Sequence, residues 1–236
     1  MPVVTMSDKF RGGGLEIGQM VARELGVDFV DQQLLVEAAQ RCGVPVGTVA
    51  EHDERRASLK ERMSSLLQTF LERSAASGAD PLAGATGLEV ILSRTYSEMA
   101  GETEEPQISD ELYLTTMSSI ISELAAGENI VLLGRGSQMI LKDMPRATHV
   151  LCIAPQDLRA HRLAERDNIG LNEAAKRIHE SDRGRGAYYR KFWRVDLEDP
   201  RLYDLTIDTS RVSFETAAAL VVLAARAKAV VPTARG

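Results

Sequence analysis

The chain has 236 residues, 44% of them apolar and 26% charged, and its formal net charge is −6. These values fit one large globular domain, or one domain carrying a sizeable insertion, with enough length to bury a substantial core. The negative balance disfavours general nucleic-acid binding. No apolar stretch reaches membrane-spanning length, because the Ala-rich run near the C-terminus is broken by Arg226 and Lys228.

Residues 2–6 are a short apolar run that predicts a buried strand, followed by a glycine-containing loop over residues 7–14. Ile17, Met20, Val21 and Leu25 then recur at helical spacing, and Gly26 is a suitable stop. Residues 27–30 predict a very short second strand, and Asp31 an N-cap for a helix containing Leu34, Leu35 and Ala38. Residues 51–74 predict a long charged helix, and residues 74–87, rich in Ala, Gly, Ser and Asp, predict a loop. Ser109 predicts the cap of a helix whose apolar face includes Tyr113, Met117, Ile120, Ile121 and Leu124, with Gly127 as its end. Three further apolar runs, at residues 130–133, 149–154 and 205–207, are each followed by a helical pattern. In the last helix Ser213 is the expected cap, with Ala217, Ala218, Val221 and Val222 buried. Strands alternating with helices predict a mostly parallel sheet covered on both faces, with ligands beyond the carboxyl ends of its strands.

The two cysteines, Cys42 and Cys152, have the spacing of neither a metal site nor a disulfide framework. Cys152 sits in an apolar run and reads as a buried thiol, which suits a reducing compartment. The first residues lack a signal-peptide pattern, and a cytoplasmic location is expected. Charge is unevenly placed: residues 98–128 hold eight acidic residues and no Lys or Arg, whereas residues 155–194 have a local net charge of +4. Such a basic segment could serve a small anionic substrate, or be a solvated helical face.

The segment Ser7-Asp8-Lys9-Phe10-Arg11-Gly12-Gly13-Gly14 stands between the first strand and the first helix, the place of a phosphate-binding loop. Glycines let the backbone approach an anion, and the helix offers amides and the positive end of its dipole. The usual P-loop continues with Lys and then Ser or Thr, and neither is present. Aligned by the following helix, Gly14 takes the lysine position and Glu16 the hydroxyl position. Glu16 could still reach magnesium, and Lys9 or Arg11 could supply the missing cation. A tight strand–helix turn without a ligand is the plainer alternative.

Several segments in order carry a family resemblance. They are the glycine loop with Leu15-Glu16-Ile17-Gly18, then Phe29-Val30-Asp31, then Gly134-Arg135-Gly136-Ser137-Gln138, then residues 149–155 with Arg159 and Arg162. Ile178, Asp182, Arg185, Tyr188 and Phe192 follow, and then Leu202-Tyr203-Asp204-Leu205 leading to Asp208-Thr209. Together they resemble the cytidylate-kinase-like family, outside residues 51–110. The resemblance implies an α/β P-loop kinase-like three-layer fold with a five-stranded parallel sheet. It implies a single domain over residues 1–236, with a helical insertion at about 45–110 and a lid at about 170–195. The family's Gly-Ser-Gly-Gly type of loop is altered here: Asp8 stands where relatives tend to have Arg, and Arg11-Gly12 where they have Gly-Ser.

By the same resemblance the reaction is phosphoryl transfer from ATP, with Mg²⁺, to a nucleoside monophosphate, CMP favoured. Arg135 would grip the acceptor phosphate, although the acidic third residue of the family's Gly-Arg-Asp segment is replaced by Gly136. Asp31 would lie near the acceptor nucleoside. Arg177, Arg185 and Arg190 would bring charge to the transferred phosphate from a lid that bends at Gly184 and Gly186. A surface salt bridge is the alternative for Arg135, and a solvated basic helix end for Arg177, Arg185 and Arg190. Arg159, Arg162 and Arg166 recur at helical spacing and suggest one exposed face, with Arg162 able to reach the site. Tyr188, Tyr189, Phe192 and Trp193 read as packing residues. An apolar stripe of Leu59, Met63, Leu66, Leu67, Phe70 and Leu71 suggests a homodimer or packing on the chain's own core. Loss of the P-loop lysine leaves a second class open, a non-catalytic nucleotide sensor or interaction protein.

Overall fold

A computed structural model describes residues 2–32, 67–69, 72, 92, 96, 110–127 and 129–230. The elements in chain order are β1 (Val3–Asp8), α1 (Gly14–Leu25), β2 (Asp28–Val30), α2 (Asp110–Ala126), β3 (Ile130–Leu133) and α3 (Ser137–Ile140). They continue with β4 (Ala147–Ile153), α4 (Gln156–Asp167), α5 (Leu171–Trp193), a 3-10 turn (Pro200–Leu202), β5 (Leu205–Asp208) and α6 (Phe214–Val230).

The strands form one five-stranded sheet in the order β2-β3-β1-β4-β5. β1 is central and parallel to both neighbours, pairing Val4 with Val131 of β3 and with Thr148 of β4; β5 runs parallel to β4. Continuous apolar runs suit such strands, because both faces are covered. One face is packed by α1 and α6: Val4, Met6, Val150, Cys152 and Ile207 form a single core with Ile17, Val21, Ala217, Val221 and Val222. The alternate residues Val3, Thr5, Leu132 and Leu151 are buried on the other face. This is the three-layer α/β arrangement expected.

Local signals end the elements as read. Gly26 closes α1 at φ 69, its N–H bonded to Ala22 and Arg23 carbonyls. Ser213 Oγ accepts the Thr216 N–H, capping α6. β3 coincides with its predicted run, while β1 extends through Ser7 and Asp8. Cys152 is buried, and its thiol pKa is pushed up by that burial and by the Asp8 and Glu16 carboxylates.

The chain divides into two compact units: residues 1–29, 95–107 and 121–236, and residues 30–94 with 108–120. In the second unit Leu67, Leu92, Tyr113, Met117 and Ile120 are buried. Leu67 belongs to the apolar stripe considered for a dimer, so this member packs within the chain itself. Most of the predicted helix at 51–74, the loop at 74–87, the Ser109 cap and the helix beyond Gln32 lie outside the described residues.

One expectation fails. The segment at 170–195 does not bend at Gly184 and Gly186; α5 is a continuous helix of 23 residues through both. Two helical glycines cost about 2 kcal/mol together. Contacts on either side of them offset that cost: Ala174 and Ile178 pack on Ala160 and Leu163 of α4, and Tyr188 makes edge contacts with Tyr96, Tyr189, Phe192 and Trp193.

Candidate functional site

The first unit gathers its loops at the carboxyl ends of β1, β3, β4 and β5. After β1 the chain turns tightly, with Gly12 N–H bonded to Lys9 O at 2.6 Å and Lys9 N–H to Cys152 O at 3.1 Å. A Cβ on Gly12 would stand 2.7 Å from Lys9 O and 2.8 Å from Cys152 O, both backbone atoms, so this position requires glycine. Gly13 has φ 96 and Arg11 has φ 65. Arg11 therefore holds a left-handed conformation at about 1–2 kcal/mol of cost, where the family's loops carry glycine. Thr209, just past β5, donates its hydroxyl to Gly12 O at 2.9 Å and accepts from Arg162 Nη1 at 2.9 Å. The loop is thus a tight, backbone-bonded turn that leads directly into α1.

Its side chains differ. Lys9 Nζ lies 2.8 Å from Glu198 Oε1 and 3.9 Å from Asp182 Oδ2. Arg11 Nη2 lies 3.3 Å from Glu16 Oε1. Asp8 Oδ1 accepts from Arg185 Nη1 at 2.7 Å, and the same nitrogen donates to Asp8 O. Burial opposes the Arg185 charge, but the Asp8 carboxylate and nearby Tyr96 more than offset it, so its pKa is raised. Ser7, near the end of β1, is buried. In the P-loop motif the hydroxyl residue follows the lysine directly. With Gly14 at the lysine, the hydroxyl's place falls to Leu15, and Glu16 lies one residue beyond, in the first turn of α1.

The turn after β3 is a run of left-handed residues, Gly134 at φ 77, Arg135 at φ 58 and Gly136 at φ 71. Arg135 is buried, its N–H bonds Tyr96 Oη at 2.8 Å, and its carbonyl accepts from Tyr188 Oη at 3.3 Å. A Cβ on Gly136 would collide with the Trp193 ring. The acidic residue missing from the Gly-Arg-Asp segment is thereby explained, since only glycine fits between that backbone and the indole. The guanidinium carbons of Arg135 and Arg185 lie 5.8 and 4.9 Å from the centre of one ring, Tyr96.

The structure brings Ser7, Lys9, Arg11, Gly12, Gly13, Gly14, Glu16 and Arg185 together around the loop. It sets two other candidates apart. Arg177 is about half exposed and paired with Glu173 at 2.7 Å and Asp167 at 4.0 Å, a surface ion pair worth little energy. Arg190 is exposed, its guanidinium passing over Gly186. Asp31 directly follows β2 and belongs to the second unit. The exposed face expected of Arg159, Arg162 and Arg166 holds for Arg166, whose partner is Asp167, and fails for Arg159. Arg159 is 2% exposed, donating to Ala154 O and Phe10 O and pairing with Asp182 at 2.8 Å. Asp182 also accepts the Phe10 N–H. Arg162 reaches the loop through Thr209 and through Arg11 O.

Sequence reasoning missed Tyr96, which lies in the stretch with weakest resemblance, and the anchoring roles of Thr209 and Glu198. No local signal marks them, because each acts through a distant segment. Beside the loop a cleft of about 580 Å³ opens past β4 and β5, lined in part by Lys9, Pro155, Arg159, His179, Asp182 and Glu198. Tyr188, Tyr189 and Trp193 are packing residues, as expected; Tyr189 and Tyr203 hydroxyls bond the Gln138 amide. Among the described residues no cluster of three metal-ligating side chains occurs, and no helix is long and apolar enough to cross a membrane.

Comparison with known proteins agrees with this architecture. The profile of the cytidylate kinase-like family matches residues 3–211, and the chain belongs to that family. Similar curated proteins include a cytidylate kinase of Methanocaldococcus jannaschii, 35% identical over 39% of this chain and 53% of its own length. A cytidylate kinase of Pyrobaculum calidifontis is 30% identical over 56% of this chain and 66% of its own length. The chain therefore matches about half to two thirds of these relatives. A solved structure from Eubacterium ventriosum, described as an uncharacterized protein, covers 96% of this chain at a TM-score of 0.56 and 14% identity, a likeness of fold.

Proposed function

We propose that this member of the cytidylate kinase-like family transfers the terminal phosphoryl group of ATP to a nucleoside monophosphate, with CMP the favoured acceptor. The observation that carries this reading is the placement of a glycine loop and a buried arginine turn at the carboxyl ends of the adjacent strands β1 and β3. Phosphoryl transfer needs two phosphate groups held in line and their charge neutralised, and little covalent chemistry. The loop amides and the α1 N-terminus would hold the donor's phosphates. Arg135 would grip the acceptor phosphate through its planar fork. The cleft past β4 and β5 meets the loop at Lys9, whereas Gly12, Gly13 and Gly14 are buried.

Magnesium typically keeps several waters and takes one or two carboxylates plus substrate phosphates. Glu16, with a third of its side chain exposed at the first turn of α1, fits that donor set; Asp8 is committed to Arg185. When bound, the ion would neutralise charge on the terminal phosphate oxygens.

The test is a pair of assays on the purified chain, ATP binding by calorimetry and ADP formation across a panel of nucleoside monophosphates. ATP binding with acceptor-dependent ADP formation is expected. A second reading, a nucleotide sensor without turnover, is favoured by one observation: Lys9, Arg11 and Arg185 each already have a carboxylate partner from the chain. Binding with no ADP formed for any acceptor would select it. Self-association through the Leu59–Leu71 stripe is a separate proposal, ended by a monomer mass in light scattering at micromolar concentration.

A further inference from the structure

We infer that Asp8 and Arg185 together replace the missing P-loop lysine, Arg185 supplying the cation from α5 and Asp8 holding it in the lysine's place. This rests on the phosphotransferase reading above.

A side chain at position 14 would begin where Asp8 now stands: a Cβ built on Gly14 lies 2.8 Å from Asp8 Cβ and 3.2 Å from Asp8 Oδ2. The space from which a P-loop lysine would extend is therefore occupied by the Asp8 carboxylate. That carboxylate is bonded to Arg185 Nη1 at 2.7 Å, and the Asp8 carbonyl receives a second bond from the same nitrogen. Both side chains are mostly shielded, 14% and 15% exposed, so their attraction is screened less than that of a surface pair. The guanidinium is fixed on a third side by the Tyr96 ring. Arg185 Nε makes no hydrogen bond among the described residues although it is buried. A guanidinium has five donors, and the two bonds to Asp8 use one nitrogen.

The other cations by the loop fit the role less well. Lys9 is drawn to Glu198 and Asp182, and Arg11 to Glu16. Neither is paired with Asp8, the residue that fills the space beside Gly14. The pair also differs from a lysine in carrying no net charge. It can direct donors at a phosphate without adding a positive field, so affinity for a polyanion is expected to be modest and to rise when a true lysine is restored.

The experiment measures ATP and inorganic tripolyphosphate binding by calorimetry, with melting temperatures to confirm folding. Arg185→Ala is expected to weaken ATP binding at least about tenfold, equivalent to about 1.4 kcal/mol. Asp8→Asn keeps the shape but removes the charge that holds the guanidinium, and should weaken both ligands by a smaller factor. Rescue is the reading that a merely structural role would not produce. Asp8→Gly combined with Gly14→Lys clears the space and returns the lysine, and should restore binding in the Arg185→Ala background.

Tighter ATP binding by Asp8→Asn would show the pair to be a lock and overturn the inference. Failure of the rescue in a folded protein would overturn it as well. Wild-type affinity in Arg185→Ala would overturn the inference alone, leaving the phosphotransferase reading intact. No binding of either probe by the wild-type chain would overturn both.

Discussion

The turns after β1 and β3 lie on neighbouring strands, share the left-handed backbone, and solve it differently. After β3, two glycines flank Arg135, and at Gly136 the conformation and the Trp193 ring both exclude a side chain. After β1, Arg11 itself takes φ 65 while Gly12 and Gly13 keep the positions where space is shortest. Glycine in such loops thus answers two separate demands, backbone angle and room for a ligand or neighbour. The room is the stricter demand here: an arginine can tolerate the angle, whereas no side chain fits against a carbonyl or an indole.

Substitutions can break this contrast. Gly136→Ala is expected to have the largest effect, roughly 3 kcal/mol of destabilisation, because the indole must move and the angle is unfavourable. Urea unfolding measures it, and a loss below about 1 kcal/mol would show that Trp193 yields freely. Arg159→Ala should cost about 2–3 kcal/mol by leaving Asp182 and two carbonyls without their buried donor. The same measurement checks it, and a neutral result would return Arg159 to the solvated face expected from its spacing.

The opposite end of the sheet offers a third test. There His149 Nδ1 lies 2.8 Å from Thr5 Oγ1, the His149 backbone N–H donates to Asp204 Oδ2, and Lys228 Nζ donates to Asp204 and the Ala147 carbonyl. Burial lowers the His149 pKa, Asp204 opposing and Lys228 assisting. The folded state therefore prefers the neutral ring. Its contribution is present above the ordinary histidine pKa of about 6.5 and is lost as pH falls below it, when the unfolded chain takes the proton first. Stability should fall through that window with a slope up to about 1.4 kcal/mol per pH unit. His149→Gln should flatten the slope; an unchanged slope would assign it to other groups.

The smallest effect is expected at the β1 turn. Arg11→Gly relieves the left-handed angle at the cost of a partly exposed bond to Glu16, for a net gain near 0.5–1 kcal/mol. A loss of stability would mean that the Arg11 side chain, not its backbone, holds the loop.

How much of this was legible in the sequence follows the range of each interaction. Strand β3, the Gly26 stop and the Ser213 cap were readable because runs, glycines and hydroxyl caps act over a few residues. Glycines at 184 and 186 suggested a bend by local propensity, yet tertiary packing kept α5 helical. The partnerships that define the site were not readable. Asp8 and Arg185 are 177 residues apart, Thr209 and Gly12 are 197 apart, and periodicity contains no information about such pairs. Arg159 shares its spacing with exposed Arg166, and only the closeness of Phe10 and Asp182 buries it.

The central claim is that the two turns hold a donor and an acceptor phosphate for transfer between them. The most direct measurement is phosphorus NMR of the purified chain with ATP, magnesium and CMP. The account predicts ADP and CDP appearing together in equal amounts, with both suppressed in Arg135→Ala. ATP that persists unchanged, or that yields ADP and inorganic phosphate without CDP or any other nucleoside diphosphate across the acceptor panel, would contradict it.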